Sequence, residues 1–193
     1  FVIAYYQNFF PSTKQFDFNK YYTTMIGLRY SLAAVLLFAS NTVVTLANTS
    51  LTGGELQSCS STGTALTGFT RSGYCVDYDT DNGSHNICID LSSTTGGNFC
   101  DVTGQSNWCS DQMTCHDDAT SQCPIQNWCV CEWAFASYIE KAGGCDMIQD
   151  LNCEAINSVV LTHYQQAIET KDNKEKYQNA LQCITDRCQL NTA

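Results

Sequence analysis

The spacing of apolar residues changes partway along the chain. From Asn48 to about Ser121 the sequence is rich in Gly, Ser, Thr, Asp and Asn, with short apolar pieces between turn-forming residues. That texture predicts short strands and loops. Two strands are expected, Gly68–Val76 and Ile87–Leu91, the second with Ile87, Ile89 and Leu91 on one face. Beyond this point the spacing becomes helical. Cys129–Lys141 places Val130, Trp133, Ala134, Ala136 and Tyr138 near one face, and Gly143-Gly144 supplies a stop. Asp146 with Gln149 forms a capping-box pattern ahead of the strongest helical repeat in the chain: Ile148, Leu151, Ala155, Ile156, Val159, Val160, Tyr164, Ala167 and Ile168. A second box, Asp172 with Glu175, opens a last helix carrying Tyr177, Leu181, Ile184 and Cys188. The expected fold is α+β, with short strands and loops in the N-terminal half and about three helices in the C-terminal half.

The residues before Asn48 follow a different logic. The first methionine is Met25, and Phe1–Thr24 has no sustained periodicity, so 1–24 reads as an upstream extension that is not native to the protein. From Met25 the layout is that of a signal peptide. Arg29 supplies the positive start, Leu32–Ala39 an uncharged apolar run, and Thr45-Leu46-Ala47 a small-residue cleavage site. A membrane span needs about 20 apolar residues, and here Ser40, Asn41 and Thr42 interrupt the run. The expected organisation is therefore an extension at 1–24, a signal peptide at 25–47 and a single domain at 48–193.

Cysteine content and charge fit that reading. All 13 cysteines of the 193-residue chain lie after Ala47, a density close to that of a disulfide scaffold. An oxidising compartment would give six bridges and one leftover thiol. Cys183 and Cys188, five residues apart, point to different faces of a helix, so each is expected to reach another element. The whole chain has 9 basic and 19 acidic residues. Without Lys14, Lys20, Arg29 and Asp17 of the leader, 6 and 18 remain. Such a domain repels phosphate backbones and lacks the basic clusters that hold proteins to anionic membranes. Neither nucleic acid nor, after signal cleavage, a membrane is an expected partner; a protein or a glycan is.

One block of residues carries a resemblance. Leu56-Gln57-Ser58-Cys59 is followed by Thr67-Gly68-Phe69-x-Arg71-x-Gly73-x-Cys75, then Asp81-x-Gly83-Ser84-His85-x-x-Cys88, and later Trp128-Cys129-x-Cys131 and Trp133. This pattern resembles the DUF2237 family, a domain of unknown function, over roughly Leu51 to Ala167. The resemblance implies an α+β domain with no assigned activity. It also sorts the cysteines: Cys59, Cys75, Cys88, Cys129 and Cys131 fall at family positions, and the other eight are additions suited to secretion. The chain departs from the pattern with an insertion between Phe99 and Gln126 and with Tyr74 where the family often has cysteine. For the histidine the family usually carries in its penultimate helix, both Asn157 and His163 are possible counterparts.

Candidate chemistry centres on that block. His85 with Cys75, Cys88, Cys129 and Cys131 offers the imidazole and thiolate ligands that a zinc-like transition metal favours. The same cysteines, if oxidised, are structural bridges, and one left reduced is a redox-active or nucleophilic thiol. Asp77, Asp79 and Asp81 alternate as in a calcium loop, although the glycine arrives one residue late and Cys88 stands where the bidentate Glu belongs. Asn48 and Asn82 begin N-glycosylation sequons. Trp128 and Trp133 read as core packing. No G-x-S-x-G, H-E-x-x-H, phosphate-binding glycine loop or C-x-x-C is present. Two readings follow: a secreted, non-catalytic binding or structural module, or a metal- or thiol-dependent protein using His85 and the family cysteines.

Overall fold

A computed structural model describes residues 48–190. The expected extension and signal peptide, and residues 191–193, lie outside the described residues. The architecture is α+β. A three-stranded antiparallel sheet has the order β4-β1-β5, with β1 (Ile87–Asp90) at its centre, β4 (Asn127–Val130) on one side and β5 (Asp150–Leu151) on the other. A short α1 (Phe99–Thr103) and a hairpin of β2 (Gln112–Thr114) and β3 (Gln122–Pro124) precede β4. The C-terminal half supplies α2 (Glu132–Ala142), α3 (Val159–Thr170) and α4 (Lys174–Arg187). No helix among the described residues is long and apolar enough to cross a membrane.

β1 keeps its expected alternation, with Ile87, Ile89 and Leu91 all buried against the helices. Burying each such side chain contributes about 1.5–3 kcal/mol. The other expected strand, Gly68–Val76, does not form. Residues 68–74 run as consecutive turns and bends, because Gly68, Arg71 and Gly73 all take positive φ, at 90°, 55° and 88°. A Cβ at Gly68 would lie 2.5 Å from the Tyr74 carbonyl oxygen, so the close turn requires glycine there.

The helical half differs from expectation at both of its boundaries. Cys129 and Val130 belong to β4, paired with Cys88 and Ile87, and α2 begins only at Glu132 with Cys131 as its cap. Its end is as expected: Gly143, at φ 91°, closes the helix with its N–H on the Ile139 and Glu140 carbonyls. The long repeat from Ile148 follows a 3-10 turn at Cys145–Met147 and is broken by β5 and a second 3-10 turn, Cys153–Ala155, before α3 begins at Val159. Gln149 explains the break. Instead of capping a helix it is buried, accepts the Phe99 N–H at 2.9 Å, and donates to the Leu91 and Ser93 carbonyls at 2.9 and 3.0 Å. Pairing with β1 competes with the helical pattern and wins. At α4 the cap is Asn173, which accepts the Lys176 N–H, rather than the Asp172–Glu175 box.

Six bridges form among the described residues, and Cys131 is unpaired. Cys183 and Cys188 reach Cys145 and Cys153 respectively, pinning α4 at two points. Two further bridges are local, Cys100–Cys109 and Cys115–Cys123. The remaining pair, Cys59–Cys88 and Cys75–Cys129, staples the turn-rich segment onto β1 and β4. Because the register sets Cys88 opposite Cys129, these two bridges abut in the core.

Candidate functional site

The expected site residues fall into two clusters near the start of β1 and the end of β4. The first is built on the loop leading into β1. Asp81 is buried, and its carboxylate accepts the Gly83 N–H at 3.0 Å, the His85 backbone N–H at 2.8 Å and the His85 Nδ1–H at 2.8 Å. A carboxylate that collects its own loop's donors fixes both backbone and ring. Gly83 completes the fit, since a Cβ there would lie 2.4 Å from His85 Cε1. Phe69 stacks on the outer face of the imidazole, with centroids 6.2 Å apart and planes 12° from parallel. With Nδ1–H committed to Asp81, a neutral His85 presents Nε2 as an acceptor.

His85 lines a cleft of about 280 Å³ together with Arg71, Phe99, Trp108, Trp128 and Cys131. A smaller hollow of about 140 Å³ adjoins it, walled by Gly68, Phe69, Arg71, His85 and Trp128. The Arg71 guanidinium lies over the Trp128 ring, 4.9 Å from its centroid, in cation–π geometry. Trp128 is thus buried, as its expected packing role requires, but it sits on a strand and also serves as a platform. Trp133, on α2, packs against Tyr164 and Tyr177.

Cys131 stands at the N-terminus of α2, half-buried. Burial pushes its thiol up from the ordinary value, and the negative charges of Glu132 and Asp81 add to this. The backbone N–H groups of Ala134 and Trp133 oppose the rise by favouring the thiolate. The resting form is therefore the thiol, with donors in place to receive the anion once the proton leaves.

The second cluster lies under α2 and α3. Glu132 is fully buried and accepts Asn86 Nδ2–H at 2.8 Å and His163 Nδ1–H at 3.0 Å. Asn86 also donates to Asp77 at 3.1 Å, and its Oδ1 has no hydrogen-bond partner. The hydrogen bond to Glu132 raises His163 above the usual imidazole value, with burial working the other way. Of the two possible family histidine positions, His163 makes this side-chain contact, while the Asn157 carboxamide accepts the Val159 N–H at the start of α3.

Cys75, Cys88 and Cys129 are each bonded to another sulfur, so the thiolates a zinc-like centre needs are absent from the oxidised chain, leaving only His85 and Cys131. Among the described residues the sulfurs of Cys59, Cys75 and Cys88 are the only trio of candidate ligand atoms within 4.8 Å of one another, and they belong to the two abutting bridges. The three carboxylates of the acidic loop have separate surroundings. Asp81 serves His85, Asp77 serves Asn86, and Asp79 is exposed. Asn48 and Asn82, the two sequon positions, are both exposed, Asn82 on the loop that carries His85.

Two residues of the site carried no separate signal in the sequence reading. Arg71 was visible only as a letter of the G-F-x-R-x-G block, and Glu132 as one more acidic residue in an acidic chain. Its position directly after Cys131, at the head of an otherwise apolar helical run, was the available clue.

The comparisons agree with the pattern of residues gathered here. No curated protein matches the chain. A family model described as an uncharacterized protein conserved in bacteria, DUF2237, matches residues 49–170, which include both clusters, both abutting bridges and Cys131. The chain belongs to the DUF2237 family.

Proposed function

We propose that this is a secreted, bridge-stapled domain that does thiol chemistry in the Cys131–His85 cleft. One observation carries the reading. Of the five cysteines at family positions, the single unpaired one shares a cleft with a histidine whose ring is fixed by a buried carboxylate. These are the three groups a base-activated nucleophile draws on: a thiol, a base, and a third group that orients the base. His85 Nε2 takes the Cys131 proton, the sulfur attacks an electrophilic acyl carbon, and the same proton returns to the departing group. Water then cleaves the thioester and restores the thiol. Secretion is supported by the bridges and by the signal-peptide layout of residues 25–47.

The test is alkylation of the native protein by iodoacetamide, followed by peptide mapping. Cys131 alone should be labelled, and His85→Ala should slow labelling by about 100-fold at neutral pH, the lower end of what a positioned base contributes. Labelling that ignores His85, or a Cys131 that stays unlabelled, would sink the reading. The second reading is a passive module that binds a protein or glycan. It is favoured by the burial that holds the Cys131 thiol protonated.

A further inference from the structure

Among the described Lys and Arg side chains only Arg187 is in an ion pair, and Arg71, exposed on its turn, makes none. Its Nη1 donates to the Gly68 carbonyl at 3.3 Å, which leaves most of the guanidinium fork uncommitted at the wall shared by the two hollows. Its backbone takes φ 55°, a region costly for a side chain other than glycine. The strain is held by the Arg71 N–H on Gly68 and the Gly73 N–H on Thr67, both at 3.0 Å. With the root locked and the head lying on Trp128, the fork is preorganised toward the cleft.

We infer that the cleft binds a small carboxylate carried on an apolar or aromatic body, with Arg71 receiving the charge. This rests on the cleft being the working site proposed above. The body has its wall in Phe99, Trp108, Met113 and Trp128. A volume of about 280 Å³ lies near the lower end of the range of small-molecule sites. Carboxylate matches a single guanidinium in a bidentate pair. A doubly charged phosphate would want a second cation, whereas the side chain that backs His85 is the carboxylate of Asp81. The carboxylate on Arg71 would set the reacting end of the molecule toward His85 and Cys131, so Arg71 selects substrate without touching the reacting atoms.

The experiment uses the Cys131→Ser variant, so that binding is read without thiol chemistry. Phenylacetate, phenylacetamide and phenyl phosphate are titrated into ¹⁵N-labelled protein while the backbone and indole N–H signals are followed. Phenylacetate should give saturating shifts at the Arg71 and Trp128 signals, with phenylacetamide and phenyl phosphate at least tenfold weaker. Adding Arg71→Met should weaken phenylacetate at least tenfold and leave phenylacetamide unchanged, with Arg71→Lys in between. Equal binding of acid and amide, tighter binding of the phosphate, no loss in Arg71→Met, or no saturating shift with any probe would each overturn the inference. Saturating phenylacetate binding alongside an unreactive wild-type Cys131 would instead overturn the thiol reading alone.

Discussion

Asp81 holds His85 twice: one buried carboxylate accepts both the backbone N–H and the ring Nδ1–H of the residue four positions on, each at 2.8 Å. The first contact shapes the loop and the second sets the tautomer. Asp81→Asn keeps an acceptor for the loop but loses the charge that steadies an imidazolium. Cys131 alkylation at neutral pH should fall by about tenfold or more, short of the full loss of a general base. Far-ultraviolet circular dichroism should be unchanged. An alkylation rate equal to that of the unaltered protein would show that the pairing is structural only.

Gly83 tests the same ring sterically. In Gly83→Ala the new methyl would occupy space now filled by His85 Cε1, 2.4 Å from the ideal Cβ position. The imidazole must leave Asp81 or the loop must shift. The expected result is a displaced His85 ring signal in NMR and slower Cys131 alkylation, with little change in the urea midpoint. An unmoved ring would mean that the loop yields more easily than the histidine.

How much of this was legible beforehand depended on distance along the chain. The alternation of Ile87, Ile89 and Leu91, the Gly143 stop and the divergence of Cys183 from Cys188 are local features, and each is realised. The failures involve partners far away in sequence. Gln149 reads as a capping residue until Leu91, Ser93 and Phe99 claim its carboxamide. Cys129 reads as helical until β1 pairs with it. At the site, His85 and the five cysteines were visible as residue types. Which thiol escapes pairing could not be read from spacing, because pairing is set by the register of β1 against β4.

The bridges differ in what their loss costs. Cys75–Cys129 closes 54 residues and Cys115–Cys123 closes 8. On the chain-entropy account the longer closure stabilises by about 1.7 kcal/mol more than the shorter. Paired alanine substitutions at each bridge, compared by urea denaturation, should differ by at least that amount, since the longer bridge is also buried. Equal midpoints would indicate that strain or residual structure in the unfolded chain dominates.

Glu132 is the buried charge with the most to lose. Glu132→Ala strips His163 of its acceptor and leaves Asn86 with Asp77 alone. Removing one partner from a buried charged network costs about 3–5 kcal/mol. A urea midpoint within error of the unaltered protein would contradict the network as described.

His163 gives a pH signature of definite sign. Its folded value is raised above the ordinary 6.5. Its contribution is therefore fully present below that value and is lost as pH rises through the folded value. The stability advantage of the unaltered protein over His163→Gln should be larger at pH 5.5 than at pH 9. An advantage independent of pH would show that the Glu132 contact does not depend on the imidazolium.

The two bridges on α4 differ from the abutting pair in solvent access. Cys145 and Cys153 are only partly buried, whereas Cys59, Cys75, Cys88 and Cys129 are almost wholly enclosed. A reductant reaching the folded protein therefore meets the helix clasps before the centre. The molecule has a built-in order of disassembly, in which α4 can be unlatched chemically while the abutting bridges and the cleft beside them stay closed.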